Sequence, residues 1–300
     1  MKILITGSSG MLGQALCAKL ADRHEVIGID IKEVAECKLQ LADFFQLDIT
    51  DRNLIIQKIE EVAPDIIIHC AAYTDVDGCE SNPEKAQELN VATTATIAEG
   101  CKLTSSYMIY ISTDFVFDGK KKSPYTEKDR PNPINIYGKT KLEGEDAVKD
   151  MLDKYLIIRT SWLFGKGGKN FVDIILNRAK KEKELKVVND QIGCPTYAID
   201  LAGAVASVIS NQLPVISGRL LNITNSGSCT WYEFAREIFG LANISGVDIM
   251  PISSEELGRP ARRPKMSVLD NTKFREISDR YLPPWRDALK RYLEERKNNK

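Results

Sequence analysis

Tyr137 and Lys141 stand four residues apart at the start of a helical pattern, so their side chains share one helix face. A phenol ionises near pH 10, while a proton donor works best when its pKa lies near ambient pH. A neighbouring ammonium favours the phenolate. A unit charge at about 4 Å supplies about 4 kcal/mol at an effective dielectric of 20, and moving a phenol by 2–3 units takes about 3–4 kcal/mol. One lysine therefore suffices to tune the tyrosine. The pair alone carries little weight, since a chain with 10 tyrosines and many lysines gives about one such spacing by chance. Its position carries more. Tyr137 alone among the tyrosines has the lysine, and it lies one crossover after a strand ending in Ser112-Thr113, whose Thr113 hydroxyl can donate to the same substrate oxygen.

A second group of residues suits a phosphate. Gly7-Ser8-Ser9-Gly10-Met11-Leu12-Gly13 follows a strand directly and opens a helix. Glycines there permit the tight turn, let backbone approach a pyrophosphate and allow close helix–strand packing. The free amides at the helix start hold phosphate charge, so the side chains of Met11 and Leu12 are immaterial to that contact. Asp30 closes the next strand, where a carboxylate reaches ribose hydroxyls. Its charge disfavours a 2′-phosphate and so favours NADH, while nearby Lys32 tolerates NADPH.

These groups need a scaffold, and the sequence outlines one. Apolar runs at 3–5, 26–29, 44–47, 66–68, 108–111 and 156–158 read as strands. Between them lie helical patterns at 12–20, 51–62, 84–102 and 138–150, the third opened by Ser81 with Pro83 just inside it. Runs without alternation, separated by helices, imply a parallel sheet covered on both faces. The expected fold is therefore α/β, a doubly wound, Rossmann-type parallel sheet, with a smaller C-terminal substrate lobe. We expect residues 1–160 to form the dinucleotide-binding domain, with later segments returning to it, and residues 161–300 to form mainly the lobe. There Leu220–Ile223 and Val247–Ile249 read as strands, and Thr230-Trp231-Tyr232-Glu233 has the spacing of a capping box opening a helix to Phe239. Residues 255–270 read as a Pro- and Arg-rich loop, 284–296 as a helix, and 297–300 as a frayed polar end.

Composition removes other classes. The 41 basic and 42 acidic side chains nearly cancel, which gives no electrostatic footprint for nucleic acid or an anionic membrane. No apolar run approaches the ~18 residues of a membrane span. Seven cysteines without a Cys-x-x-Cys pair suit a reducing, cytoplasmic setting and thiols used as core residues. The two histidines, His24 and His69, leave little material for a metal site or a His-centred triad, and His69 reads as a satisfied strand-end imidazole.

The G-x-x-G-x-x-G spacing resembles the extended short-chain dehydrogenase/reductase family. Ser112 to Gly119, Asn135 to Glu145, Asn90, Arg159 to Gly165, Gly193-Cys194-Pro195-Thr196, Arg263-Pro264 and Leu269-Asp270 are similar, over nearly the whole chain, to its members that reduce 4-keto dTDP-sugars. The resemblance implies that Asp48-Ile49 holds the adenine and that Ala71-Ala72-Tyr73 passes beside the cofactor. It makes Tyr137 the proton donor, Lys141 its activator and a ribose ligand, and Thr113 the group polarising the carbonyl. It makes Asp114 and Trp162 substrate contacts, Trp162 having lobe packing as an equal alternative. Arg263, with Arg259 and Arg262, is placed to meet a diphosphate.

The activity so implied is NADPH- or NADH-dependent reduction of the C4 ketone of dTDP-4-dehydro-L-rhamnose to dTDP-L-rhamnose, a precursor of cell-surface polysaccharide. A dTDP-sugar is then the small-molecule partner, a homodimer is compatible, and Mg2+ is not specified by the residues. A nucleotide-sugar dehydratase pairs the acid after its threonine with a glutamate, but here Phe115 stands in that place. A nucleotide-sugar epimerase remains an alternative, as does a non-catalytic regulatory subunit like the beta subunit of methionine adenosyltransferase, which keeps the tyrosine and lysine.

Overall fold

The computed structural model describes residues 1–32, 41–211 and 218–297. Cys37, Pro214 and the polar end at 298–300 lie outside the described residues. In chain order the first half runs β1 (Lys2–Thr6), α1 (Met11–Leu20), β2 (Glu25–Asp30), β3 (Asp43–Gln46), α2 (Arg52–Val62), β4 (Ile66–His69), α3 (Val76–Ser81), α4 (Pro83–Gln87), α5 (Thr93–Thr104), β5 (Tyr107–Thr113), α6 (Ile136–Met151) and β6 (Tyr155–Thr160). These six strands and Arg219–Asn222 form one seven-stranded sheet, in the order Arg219–Asn222, β6, β5, β4, β1, β2, β3. Every ladder in it is parallel.

The uninterrupted apolar runs follow from burial of both faces. Successive strand residues point to opposite sides. Ile3, Ile5, Ile66, Ile68, Ile109 and Ile158 meet α1 and the Ala198–Asn211 helix on one side. Leu4, Ile67, Met108 and Ile157 meet α2, α5 and α6 on the other. Fully burying each such side chain is worth about 1.5–3 kcal/mol against leaving it exposed. The strand order reverses between β1 and β4, so the crevice at their carboxyl ends is where such a sheet takes a ligand. Residues 198–211 and 219–222, well beyond position 160, thus pack on the first half's sheet and not in the lobe.

One long helix over 84–102 is expected from the pattern, and the chain departs from it. Asn82, not Ser81, precedes the first turn, and Pro83 occupies the opening position. Between α4 and α5 the residues Glu88–Ala92 wind as a π-helix. The wider turn changes which way Asn90 points. Its amide accepts from Tyr73 N at 2.8 Å and donates to Thr140 Oγ1 at 3.0 Å, tying the loop after β4 to α6.

The lobe has its own core. Phe164, Tyr197, Phe234, Trp285 and Tyr292 pack together with Val172, Ile175, Leu185 and Ile238. The capping box is present: Glu233 N donates to Thr230 Oγ1 at 3.1 Å, and Thr230 N donates to Glu233 Oε2 at 2.8 Å, so the helix runs Trp231–Ala242. Phe171–Ala179, Glu184–Val188 and Thr272–Ser278 are elements without a forecast. The expected loop at 255–270 begins inside a short helix, Ser254–Leu257, which carries a second capping box from Ser253 and Glu256. The last helix, Trp285–Lys297, matches the pattern. Six cysteines are described and all are free thiols.

A very close backbone approach underlies the cofactor crevice. A Cβ on Gly13 would fall 2.1 Å from the Gly7 carbonyl oxygen, and Gly7 itself holds φ +69°. Gly13→Ala therefore overpacks backbone against backbone, and we expect a loss of about 1–3 kcal/mol, read as a lower urea midpoint. An unchanged midpoint would contradict the close approach.

Candidate active site

Tyr137 lies in the first turn of α6. Asn135 caps that helix, its Oδ1 accepting from Gly138 N at 2.7 Å, while its Nδ2 donates to the Arg262 carbonyl at 2.8 Å. Glu80 of α3 accepts from Ile136 N at 2.8 Å. Gly138 permits the segment after β5 to touch the helix, since a Cβ there would fall 2.0 Å from the Phe115 oxygen. Phe115 meets Tyr137 edge-on with centroids 5.8 Å apart. The aromatic ring at 115 is thus a wall of the site.

Thr113, Asp114 and Tyr137 are brought together. Thr113 Oγ1 donates to Asp114 Oδ1 at 3.1 Å and accepts from Phe115 N at 3.2 Å. Burial pushes the Asp114 carboxyl up to about 7, against hydrogen bonds with Ser267 and Thr113. Burial likewise raises the Tyr137 phenol, opposed by a hydrogen bond with Thr113 and assisted by Asp114. The Lys141 ammonium donates to the Ile111 carbonyl at 2.7 Å and lies 4.0 Å from the centre of the Tyr110 ring. Enclosure outweighs the expected lowering of the tyrosine by the lysine, and the phenol stays protonated at neutral pH. Burial also pushes Lys141 down to about 7, with Glu145 and Cys70 pulling it upward.

Beneath the lysine lies a buried ion pair. Glu145, one turn beyond Lys141, accepts from Arg159 Nε at 2.8 Å and Arg159 Nη2 at 2.6 Å. Ser112 Oγ donates to the same carboxylate at 2.6 Å. Burial alone would raise Glu145, but the Arg159 guanidinium holds it below the ordinary carboxylate range.

The cradle for a dinucleotide fits its residues. Gly10 precedes α1 in an extended conformation, with no side chain capping the first turn, so the amides of Met11, Leu12 and Gly13 belong to the positions with no partner inside a helix. Ser8 Oγ is buried beside them without a hydrogen-bond partner among the described residues. Leu12 turns its side chain into the core and offers only backbone, and Met11 packs against Gly165 and Gly168. Asp30 accepts from Ser9 N at 2.9 Å and Lys32 N at 3.1 Å. Asp48 is exposed and holds Thr50, Ile49 is buried, and Ala71 and Ala72 are half-buried at the end of β4. Among the described residues no group of three His, Cys, Asp or Glu side chains is placed to hold a metal ion.

The lobe side departs further from expectation. Trp162 stacks on Trp231 at 3.4 Å between centroids and lies against Gly193, so one ring face is used in lobe packing. Its φ of 46° is uncommon for a residue with a large side chain. Arg263 is engaged: Nη1 and Nη2 donate to Asp77 at 3.0 and 2.9 Å, and Arg259 donates to the same carboxylate at 3.1 Å. Arg259 and Arg263 therefore clasp α3, while Arg262 is exposed. Asn90, Asp77, Asn135 and Glu145 lie in segments that carry the family resemblance, which gave them no role of their own, and Trp231 was read only within a capping box.

The family model described as RmlD substrate binding domain matches residues 1–298. The dTDP-4-dehydrorhamnose reductase of Salmonella typhimurium is 35% identical over 302 residues, covering 98% of each chain. A crystal structure of a dTDP-4-dehydrorhamnose reductase from Clostridium acetobutylicum superposes with TM-score 0.89 at 40% identity, covering 99% of this chain and 100% of that one. That of Bacillus anthracis, solved in complex with NADP, gives TM-score 0.89 at 38% identity, covering 98% and 99%.

His69 is the satisfied strand-end imidazole. Its Nδ1 pairs with Thr6 Oγ1 at 2.7 Å and its Nε2 with Thr94 Oγ1 at 3.2 Å. Burial, then the Lys141 charge, pushes it down to about 3. The unfolded chain takes up this proton near pH 6.5, so the contribution to stability is full above that pH and is lost as the pH falls toward 3. The urea midpoint should fall more steeply between pH 6.5 and 4 for the parent than for His69→Gln. Equal slopes would contradict a neutral buried imidazole.

Proposed function

Because the chain belongs to the RmlD substrate binding domain family, we infer that it is an NADPH- or NADH-dependent oxidoreductase that reduces the C4 ketone of dTDP-4-dehydro-L-rhamnose to dTDP-L-rhamnose. The observation that carries the reading is the convergence of Thr113, Tyr137 and Lys141 at the carboxyl end of β5, beside the glycine loop. When bound, the reduced nicotinamide supplies the hydride.

The protein's part is binding, orientation and one proton. The first-turn amides of α1 meet the pyrophosphate, and Asp30 meets the adenosine ribose. NADPH is accepted beside NADH because the Asp30 oxygens already take hydrogen bonds from Ser9 N and Lys32 N, which disperses its charge. Thr113 and Tyr137 hold the C4 oxygen. As charge develops there, Tyr137 passes its proton to it and the C4 alcohol forms. The enclosure that raises the phenol keeps that proton in place until an alkoxide, a stronger base, is present. Lys141 holds ribose hydroxyls and compensates the phenolate left behind. Asp114 and Trp162 meet the sugar, and Arg263 reaches the diphosphate only by exchanging Asp77 for it. The seven-stranded sheet with the Ala198–Asn211 helix forms the cofactor half, and Phe171–Ala179, Glu184–Val188, Trp231–Ala242 and Trp285–Lys297 build the core of the substrate lobe. The setting is the cytoplasm, consistent with the free thiols.

Incubation with the 4-keto sugar and 4-deuterated NADH tests the reaction. Each turnover should oxidise one NADH and give a product heavier by two hydrogens, one of them deuterium on C4. Loss of water, or an isobaric product without cofactor oxidation, would mark a dehydratase or an epimerase, and no turnover would mark a regulatory chain. Tyr137→Phe should lower kcat by about 10²–10⁴ with far less effect on substrate binding, since the ring remains. A full-rate variant would reject Tyr137 as the donor.

A further inference from the structure

Tyr137, Lys141 and Glu145 recur every fourth residue along α6 and so form one stripe facing the sheet. The stripe carries a phenol, an ammonium and a carboxylate at successive turns. Lys141 and Glu145 are both buried. An ammonium enclosed in protein loses hydration and tends to shed its proton unless a negative charge stands near. The groups facing Lys141 can be named. On β5 they are the Tyr110 ring and the Ile111 carbonyl, and after β4 they are His69 and Cys70. On its own helix they are Tyr137 and Glu145, and Arg159 on β6 lies beyond the carboxylate. His69 is held neutral by burial, and the Cys70 thiol is raised by burial. Glu145 is thus the one of these groups that carries negative charge at neutral pH.

We propose that Glu145 is a positioning residue for the reaction, the buried counter-ion that keeps Lys141 in its ammonium form, and that Arg159 and Ser112 serve to hold it there as a carboxylate. Arg159 grips both oxygens and Ser112 one of them, so the carboxylate stays ionised and cannot turn toward solvent. Lys149 closes the outer side at 3.5 Å. Arg159 holds the carboxylate from the β6 side, while Glu145 stands one turn from Lys141 on the same helix face. The inference rests on the proposed reductase reading for its meaning, but its first test does not depend on turnover.

The test is an NMR titration of the Lys141 Cε resonance in protein labelled with [ε-13C]lysine, assigned by its disappearance in Lys141→Arg. The parent resonance should titrate with a midpoint near 7. Glu145→Gln should move the midpoint down by about 1–2 pH units, and Glu145→Asp, which keeps the charge, should restore most of it. Because a lone buried Arg159 disfavours folding of Glu145→Gln, the double variant Glu145→Gln with Arg159→Gln is measured too. It leaves no unpaired guanidinium and should still shift the midpoint downward. In turnover assays the alkaline limb of the kcat profile should move with the NMR midpoint. An unchanged midpoint in the double variant, or an equal shift in Glu145→Asp, would overturn the inference. Failure of the parent to oxidise NAD(P)H would instead count against the reductase reading, with the NMR result standing.

Discussion

The buried Glu145–Arg159 pair fixes where the chemistry can happen. It joins α6 to β6 through the guanidinium and to β5 through Ser112, the residue before Thr113. Its neutral replacement by packed side chains would cost little, whereas removing one partner strands a charge at about 3–5 kcal/mol. A pair of this kind is better understood as a register device than as a source of net stability. It sets α6 at one rotation and one height over the sheet, and Tyr137 and Lys141 follow two turns and one turn away. Displacing a proton donor by 1 Å can cost about a hundredfold in rate, so a stiff anchor under the helix has a direct consequence for turnover.

The helix is held at its other end by a different bond, one that crosses between the halves of the chain. Asn135 spends one amide atom on capping α6 and the other on the Arg262 carbonyl. A few residues away Asp77 gathers Arg259, Arg263 and the Ala261 amide. The lobe's Pro- and Arg-rich loop is thereby tied to the same short stretch that presents the tyrosine. These pairs are partly exposed, so each contributes modestly to stability. Their effect is geometric, since the loop that borders the substrate side cannot move without pulling on the cap of the catalytic helix.

The sheet and its cofactor crevice were legible in the sequence because their signals are local. Runs such as Ile66-Ile67-Ile68 report burial on both faces, and Gly7 to Gly13 reports a turn that only small residues can make. Thr230 and Glu233 likewise announce a helix start through their own hydrogen bonds. The positioning network was not legible, because its bonds join residues 14 to 186 positions apart. No spacing rule connects Asp77 to Arg263 or Asn90 to Thr140. The π-turn that aims Asn90 is equally silent, as its extra residue leaves the apolar pattern of the helix nearly intact. Trp162 was read as sugar contact or packing, and its stacking on Trp231 and approach to Gly193 show the packing.

The electrostatics of the site were the least readable part, for a physical reason. Spacing predicts that Lys141 and Tyr137 share a helix face, but not what each ion faces once the helix is packed. Packing sends the ammonium toward the Ile111 carbonyl and the Tyr110 ring, and desolvation then acts on both groups in opposite senses. It holds the phenol protonated and loosens the proton on the lysine. A donor that keeps its proton beside an amine poised near neutrality is suited to a reaction in which the base appears only when hydride arrives. The proton then moves in response to the alkoxide, without the enzyme having to maintain a phenolate that would release its charge into an apolar wall formed by Phe115.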